Sequence, residues 1–351
     1  MPLKKTAAND AAKRKQHSAA PSRFAGLRGM LPGLAVCLTG GALALLAAQV
    51  LPVSALLIAI LLGALWRNLA PVPTVLAPGV QLSAKRLLRI GIVLLGLQLS
   101  LSTILGLGPG VLAVVVLCVT LTFGACLLLG RWLGLEMPQR LLIAAGFSIC
   151  GAAAVAATES TVKAKQEQVA TAIGLVVLFG TLMIPLGPAL GALVGMDERS
   201  TGMFIGAATH EVAQVVAAGG AVGASALAVA VTVKLARVLM LAPVMAGVAL
   251  YMRRKHSVHS AQRPPIMPLF VAGFIAMVLV RSAGWLPQTV LELAALAQTF
   301  LLATAMFALG LGVHLRSIFR TGGRSLILAA AATVVIILVA LAGTALFPPL
   351  G

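Results

Sequence analysis

The chain has 351 residues, 60% of them hydrophobic and 10% charged, with a mean hydropathy of +1.07. Soluble domains carry about 25% charged residues, so a water-soluble globular protein is excluded, and the unit of organisation is the apolar stretch of about 20 residues that crosses a bilayer. Lys and Arg outnumber Asp and Glu by 26 to 8, but the cations sit mostly in a tail and in loops, and aromatics are only 4% of the chain, so the excess marks membrane topology rather than nucleic-acid binding.

Residues 1–28 form a polar, Ala- and Ser-rich tail with seven cations: Lys4, Lys5, Lys13, Arg14, Lys15, Arg23 and Arg28. Such a segment buries no core and reads as disordered. Residues 29–351 read as one transmembrane transporter domain. The first apolar run, 31–50, is too long for a signal-peptide core and lacks a convincing cleavage site, so it is a span. Further runs lie at 53–69, 87–107, 109–130, 139–158, 168–195, 201–221, 223–250, 266–284, 289–313 and 323–347. In lipid such runs satisfy their backbone internally only as helices. The fold class is therefore all-α, a polytopic transmembrane bundle of about eleven spans.

Charge gives the orientation. With the N-terminus in the cytoplasm, the basic loops at 67–89, 131–140, 251–265 and 314–324 fall inside. The loops near 107–109, 221–223 and 285–288 lack Lys and Arg and fall outside, as membrane topology requires. The loop at 159–167 fits neither side, with Lys163 and Lys165 offset by Glu159 and Glu167. Leu95-Gly96-Leu97 and Leu101 in the third run match Leu309-Gly310-Leu311 and Leu315 in the tenth, which runs the other way. Inverted repeats of this kind build central sites in carriers.

Three spans contain groups that lipid rejects. In the fifth, Gly146-Phe147-Ser148-Ile149-Cys150-Gly151 has a glycine at each end. Those glycines let the helix unwind and expose N–H groups at the next half-helix, an anion site through donors and dipole. Ser148 adds a hydroxyl, and close packing by small residues is the structural alternative. In the seventh, His210 and Glu211 are adjacent and face different ways, while His210 and Gln214 share a face. They read as a proton-coupling or counter-charge pair beside a polar substrate contact; the alternative is interhelical hydrogen bonding. In the eighth, Lys234 and Arg237 lie three apart in the middle of a 28-residue apolar run. A charge there costs about 2.5–3.5 kcal/mol on insertion scales, and two like charges on one face require an anion. That anion is a bound substrate or, structurally, Glu211. Gln98, Gly310, Gly312 and His314 are weaker candidates, and Gly187, Gly191 and Gly195 read as a packing face.

Other chemistries find no motif. There is no GxxxxGK[ST] loop for nucleotide, no HExxH, no GxSxG and no carboxylate pair within one span, so neither an ATP-driven pump nor an intramembrane hydrolase is expected. Cys37, Cys118, Cys126 and Cys150 lie in apolar runs without CxxC or zinc spacing. No enzyme, cofactor or metal is expected. The partners are a small anion and the bilayer, with homodimerisation left open.

The motifs Gly146–Gly151, Val162-Lys163-Ala164-Lys165, His210–Gly219 and Val233–Pro243 resemble, in order and spacing, the YeiH family of bacterial inner-membrane proteins, described as sulfate exporters. The likeness runs from about residue 35 to the C-terminus and omits the tail. Family members often carry Thr at the position of Phe147 and Asp at that of Glu211. The resemblance implies an inner-membrane secondary carrier, distantly related to bile-acid symporters, with interrupted crossing helices. On this reading Lys234 and Arg237 bind sulfate, sulfite or an organosulfonate. Gly146, Ser148, Cys150 and Gly151 supply the half-helix, Gln214 adds a polar contact, and His210 and Glu211 couple protons. A symporter importing a small carboxylate and a non-transporting membrane sensor are the rival readings.

Overall fold

The structure, a computed structural model, describes residues 23–51, 55–162, 164–255, 269–313 and 323–349. Most of the basic tail, Lys163, Arg263, His314, Leu315, Arg316 and Arg320 lie outside the described residues. The described residues are mostly helical and contain no strand. Helices α1 (Arg23–Val50) and α2 (Ala55–Leu69) pair. The next run is segmented into α3 (Ala77–Leu82), a π turn (Ser83–Leu87), α4 (Leu88–Leu95) and a 3-10 turn (Gly96–Gln98). A short α5 (Leu101–Leu105) leads into α6 (Gly108–Trp132). Then come α7 (Met137–Ala145), a π turn (Gly146–Cys150), α8 (Ala152–Val162) and α9 (Gln166–Val194). They are followed by α10 (Glu198–Ala208), α11 (Val212–Val222), α12 (Ala224–Leu239) and α13 (Leu241–Lys255). The chain closes with α14 (Leu269–Ser282), α15 (Gln288–Gly310) and α16 (Gly323–Leu346).

Local chemistry sets many of these limits. Proline opens α3, α6 and α7, where its missing N–H loses no hydrogen bond. Gly195, in the left-handed region at φ +74°, closes α9, and Asp197 caps α10 by accepting from Ser200 N at 2.7 Å. Six helical runs are long and apolar enough to cross a membrane (Gly29–Val50, Gly108–Trp132, Glu167–Val194, Ala224–Met252, Gln288–Gly310 and Gly323–Leu346), and α2 and α14 are shorter apolar helices. Their outer faces carry exposed leucines such as Leu46, Leu128, Leu182 and Leu338, as a lipid-facing surface does.

The helices sort into two bundles. One joins α1, α2, α3, α4, α14 and α15; the other joins α6 to α13 with α16. With lipid as solvent, close backbone approach replaces water-driven burial as the source of helix association. A Cβ on Gly63 would strike the Phe307 carbonyl, and one on Gly310 the Ile60 carbonyl, so α2 and α15 touch backbone to backbone. In the second bundle Gly202 and Gly206 bring α10 against Ala226 and Ala230 of α12 in the same way. Gly187 and Gly191 seat α9 on Ile205 and Thr201, as expected from their spacing, whereas Gly195, the third member of the expected face, meets nothing within 4 Å and ends the helix instead.

Two of the eleven apolar runs do not pass through the bundle. Gln168 Nε2, at the start of α9, donates to Glu136 Oε2 just before α7 at 2.8 Å. A straight helix over that separation would hold the two about 48 Å apart. Leu141 of α7 and Val162 of α8 also share one apolar cluster with Val248 of α13. The α7–α8 segment is therefore a hairpin that enters and leaves at one end of the bundle. At the other end of α9 the same happens again. Glu198, at the start of α10, accepts from Ser225 N at 2.9 Å and Ala226 N at 3.3 Å, at the start of α12. The α10–α11 segment is a second hairpin, entering from the opposite end.

The all-α polytopic bundle thus stands, and its interruptions are the tips of two opposed hairpins. Among the described residues six helices are long and apolar enough to cross a membrane, and α2 and α14 are shorter apolar helices. The two hairpins flank α9 and enter from opposite ends, away from the runs that carry the Leu95 and Leu309 match. The hairpins also account for the loop at 159–167. Lys85 Nζ meets Glu159 Oε1 at 2.9 Å, so this loop lies at the same end as the basic segment 67–89.

Candidate functional site

The hairpin tips meet in the middle of the second bundle. The first tip breaks at Gly151, whose φ of +76° and ψ of −135° a residue with a side chain rarely adopts. The second breaks at Thr209–Glu211, between α10 and α11. Each tip leaves the carbonyls of its first half-helix and the N–H groups of its second without helical partners. Those orphan groups organise the site.

The carbonyl ends are held by α12. Lys234 Nζ donates to Ile149 O (2.9 Å), Thr209 O (2.9 Å) and His210 O (2.6 Å). Arg237 Nη1 donates to Ala207 O (2.7 Å), Thr209 O (2.9 Å) and Gly206 O (3.3 Å). Its Nη2 reaches Ser148 O (2.7 Å) and Phe147 O (3.2 Å), and its Nε reaches Ser148 O (3.3 Å). Both side chains are fully buried. A lysine has three donors, and all three are engaged. Each half-helix C-terminus carries about half a negative charge, so two converging termini attract cations. This differs from the expectation in two ways. No ion pair joins either cation to Glu211, and neither presents a free donor to a ligand, because the carbonyl ends supply the negative charge.

The N–H ends converge on one carboxylate. Glu211 Oε1 accepts from Ala152 N, at the start of α8, at 2.8 Å. The same side chain caps its own helix by accepting from the backbone of Gln214. One buried carboxylate therefore bridges the positive ends of α8 and α11. A Cβ on Gly151 would run into the Glu211 side chain, so glycine there serves both the turn and the close approach.

The remaining candidates separate. Cys150 and Glu211 line a common cavity. Ser148 Oγ donates to Ala144 O at 2.6 Å, so its hydroxyl is spent on its own helix and its carbonyl serves Arg237. Gly146 packs against Val155 and Val176. Gln214 Oε1 accepts from Glu211 N at 3.1 Å and its Nε2 donates to Val177 O at 3.5 Å, which makes it a brace of the tip. His210 faces away from the cavity. Its Nε2 meets Thr333 Oγ1 of α16 at 3.2 Å, and its ring lies on Phe147 with centroids 4.5 Å apart. His210 and Glu211 thus point to different places, as their adjacency implies. Gln98 is exposed at its 3-10 turn. Among the described residues no group of three His, Cys, Asp or Glu is placed to hold a metal ion.

The cavity beside Glu211 measures about 60 Å³ and lies between the two bundles, with Leu56, Leu88, Ile92, Leu302 and Met306 on the far side. Gln298 of α15 also faces it, nine-tenths buried. Sequence reasoning passed over Gln298, although a lone amide in the apolar run 289–313 was the available signal. A larger cleft of about 340 Å³ opens at the Lys85–Glu159 end, lined by Arg67, Gln81, Ala156 and Leu309 among others. Ala153 in the cavity and Ala156 and Glu159 in the cleft follow one another along α8, and Met306 and Leu309 do so along α15. The two spaces lie along the same pair of helices.

A family model described as "Conserved hypothetical protein 698" matches residues 32–329. A UPF0324 membrane protein of Corynebacterium glutamicum is 46% identical over 317 residues, covering 90% of this chain and 92% of the relative. A UPF0324 membrane protein of Pseudomonas aeruginosa is 43% identical, covering 86% and 90%. The UPF0324 inner membrane protein YeiH of Escherichia coli strain K12 is 40% identical, covering 85% and 89%. No solved structure matches the chain.

Proposed function

Because the chain belongs to the UPF0324 (YeiH) family of multi-pass inner-membrane proteins, we propose that it is a secondary transporter of a small anion, exporting sulfate, sulfite or an organosulfonate. The observation that carries this reading is the Glu211 carboxylate on the N–H ends of two opposed hairpins. Broken helices whose ends converge at mid-membrane are the means by which carriers hold an ion without water, and an N–H end selects for negative charge. Lys234 and Arg237 secure the tips and make the surroundings positive. Glu211 occupies the anion's place from within the chain, so a transported anion takes the Ala152 N–H only when Glu211 gives it up. Protonation of the carboxylate achieves that, and the anion then moves together with a proton. For a dianion with one proton, net negative charge leaves the cell down the membrane potential, at about 2.3 kcal/mol per charge per 100 mV.

A second reading, import of a small carboxylate with protons, is favoured by one detail: the chemical group already on the N–H ends is a carboxylate. Flux in proteoliposomes under an imposed potential or pH gradient separates the two by direction. For either, anion binding strengthens on acidification in the wild type. It becomes independent of pH in Glu211→Gln, whose amide mimics the protonated side chain. Wild-type liposomes that move none of these anions under any gradient sink both.

A further inference from the structure

The walls of the central cavity say which anion suits it. Polar groups meet it from three places: the Glu211 carboxylate with the Ala152 N–H behind it, the Cys150 thiol, and Gln298. The rest is hydrocarbon, with Leu56, Leu88, Ile92, Leu302 and Met306 facing the hairpin tips. Gln298 is nine-tenths buried. It lines the space where an anion displacing Glu211 would lie, and an amide there can donate to an anionic head group. A water-sized group needs roughly 10–15 Å³ of such space, so about 60 Å³ holds a molecule of a few heavy atoms.

Sulfate fits this lining poorly. Its four oxygens share two charges and are all strongly hydrated, and the cavity offers few donors, the Ala152 N–H, the Cys150 thiol and the Gln298 amide, in a lining that is otherwise hydrocarbon. An anion with one charged head and a short apolar substituent matches both halves. Its head takes the Ala152 N–H and the Gln298 amide, and its tail lies against Leu302 and Met306. We propose that the site binds a monovalent amphiphilic anion, a short-chain sulfonate or carboxylate, and that Gln298 of the first bundle is a specificity-determining contact to its head group. This rests on the anion-transporter reading and narrows it. Because Gln298 and Ala152 belong to different bundles, the bound anion ties the two together.

The experiment is ligand binding to the purified full chain in lipid nanodiscs at mildly acidic pH, read by thermal unfolding and titration calorimetry. The probes are sulfate, sulfite, methanesulfonate, ethanesulfonate, propionate and butyrate at matched ionic strength. Ethanesulfonate or propionate is expected to half-saturate at a concentration about tenfold below that of sulfate, the scale of one well-placed hydrogen bond plus a buried methylene. The sulfonate and carboxylate arms distinguish the two head groups. Gln298→Leu weakens the organic anions about tenfold, the same scale, while the ligand-free unfolding temperature stays at the wild-type value. Met306→Ala shifts preference toward the longer chain, which keeps the test open should Gln298→Leu fail to fold. Sulfate binding as tightly as ethanesulfonate overturns the inference and leaves the transporter reading standing. So does a chain-length preference that Met306→Ala leaves unmoved. Absence of binding and flux for every probe removes both.

Discussion

Lys234 and Arg237 spend their donors on the backbone carbonyls of the two hairpin tips. Mid-membrane cations in a carrier of anions suggest direct ligands, yet every Lys234 donor goes to a tip carbonyl. Removing such a group leaves several buried carbonyls unpaired, each worth about 1–3 kcal/mol. Lys234→Met and Arg237→Met are therefore expected to lose folded protein before they lose specificity. Size-exclusion profiles and thermal unfolding in detergent should fall for both, with no rescue by added anion. A variant that keeps its unfolding temperature but loses anion affinity would return the pair to the role of ligands. Glu211 is the opposite case. Its neighbours hold it by replaceable hydrogen bonds, so its substitution changes binding and pH response rather than assembly.

The hairpins turn on single positions. Gly151 adopts φ +76° and has the Glu211 side chain where a Cβ would stand. Gly151→Ala therefore combines left-handed strain of about 1–2 kcal/mol per residue with displacement of the carboxylate. Anion binding is expected to fall at least about tenfold, since 1.4 kcal/mol is a factor of ten, while Gly220→Ala, where a Cβ meets nothing within 4 Å, leaves it unchanged. Caps hold the hairpin bases. The Ser200 N–H on Asp197 keeps that carboxyl below the usual carboxylate range. A lowered carboxyl stabilises the fold above its ordinary titration range and loses that contribution as pH falls through the lowered value. Asp197→Ala should cost about 1 kcal/mol at neutral pH, seen as a lower unfolding temperature. The gap should close toward strongly acidic pH, where the wild-type carboxyl is also neutral.

At the scale of the molecule the decisive feature is that two apolar segments turn back. All four cysteines are buried, so introduced cysteines report with little background. Glu136→Cys and Lys165→Cys are exposed at the two feet of the first hairpin. Both are expected to react with a membrane-impermeant thiol reagent from the same side, and Arg199→Cys from the other. Eleven straight spans predict instead that positions 136 and 165 react from opposite faces. The cleft between the bundles, bridged by Lys85 and Glu159, lies at the end that carries the first hairpin's feet.

Composition and run length alone determined that this chain is an α-helical membrane protein, because lipid forces any long apolar segment into a helix. The same logic, applied to the polar exceptions, located the break at Gly146–Gly151 and singled out Glu211, Lys234 and Arg237, since lipid tolerates such groups only when something inside satisfies them. What satisfies them was beyond the sequence. A helical hairpin and a crossing helix have the same composition, length and flanking charges. Only the contacts between distant residues, Glu136 with Gln168 and Glu198 with Ser225, tell them apart. The partners of the two cations are backbone carbonyls, which every residue carries and no sequence pattern marks. Gln298 lines the cavity only because α15 of one bundle faces the hairpin tips of the other. Side-chain chemistry was written along the chain, whereas the pairing of backbone ends, and with it the division between scaffold and site, was decided by the tertiary structure.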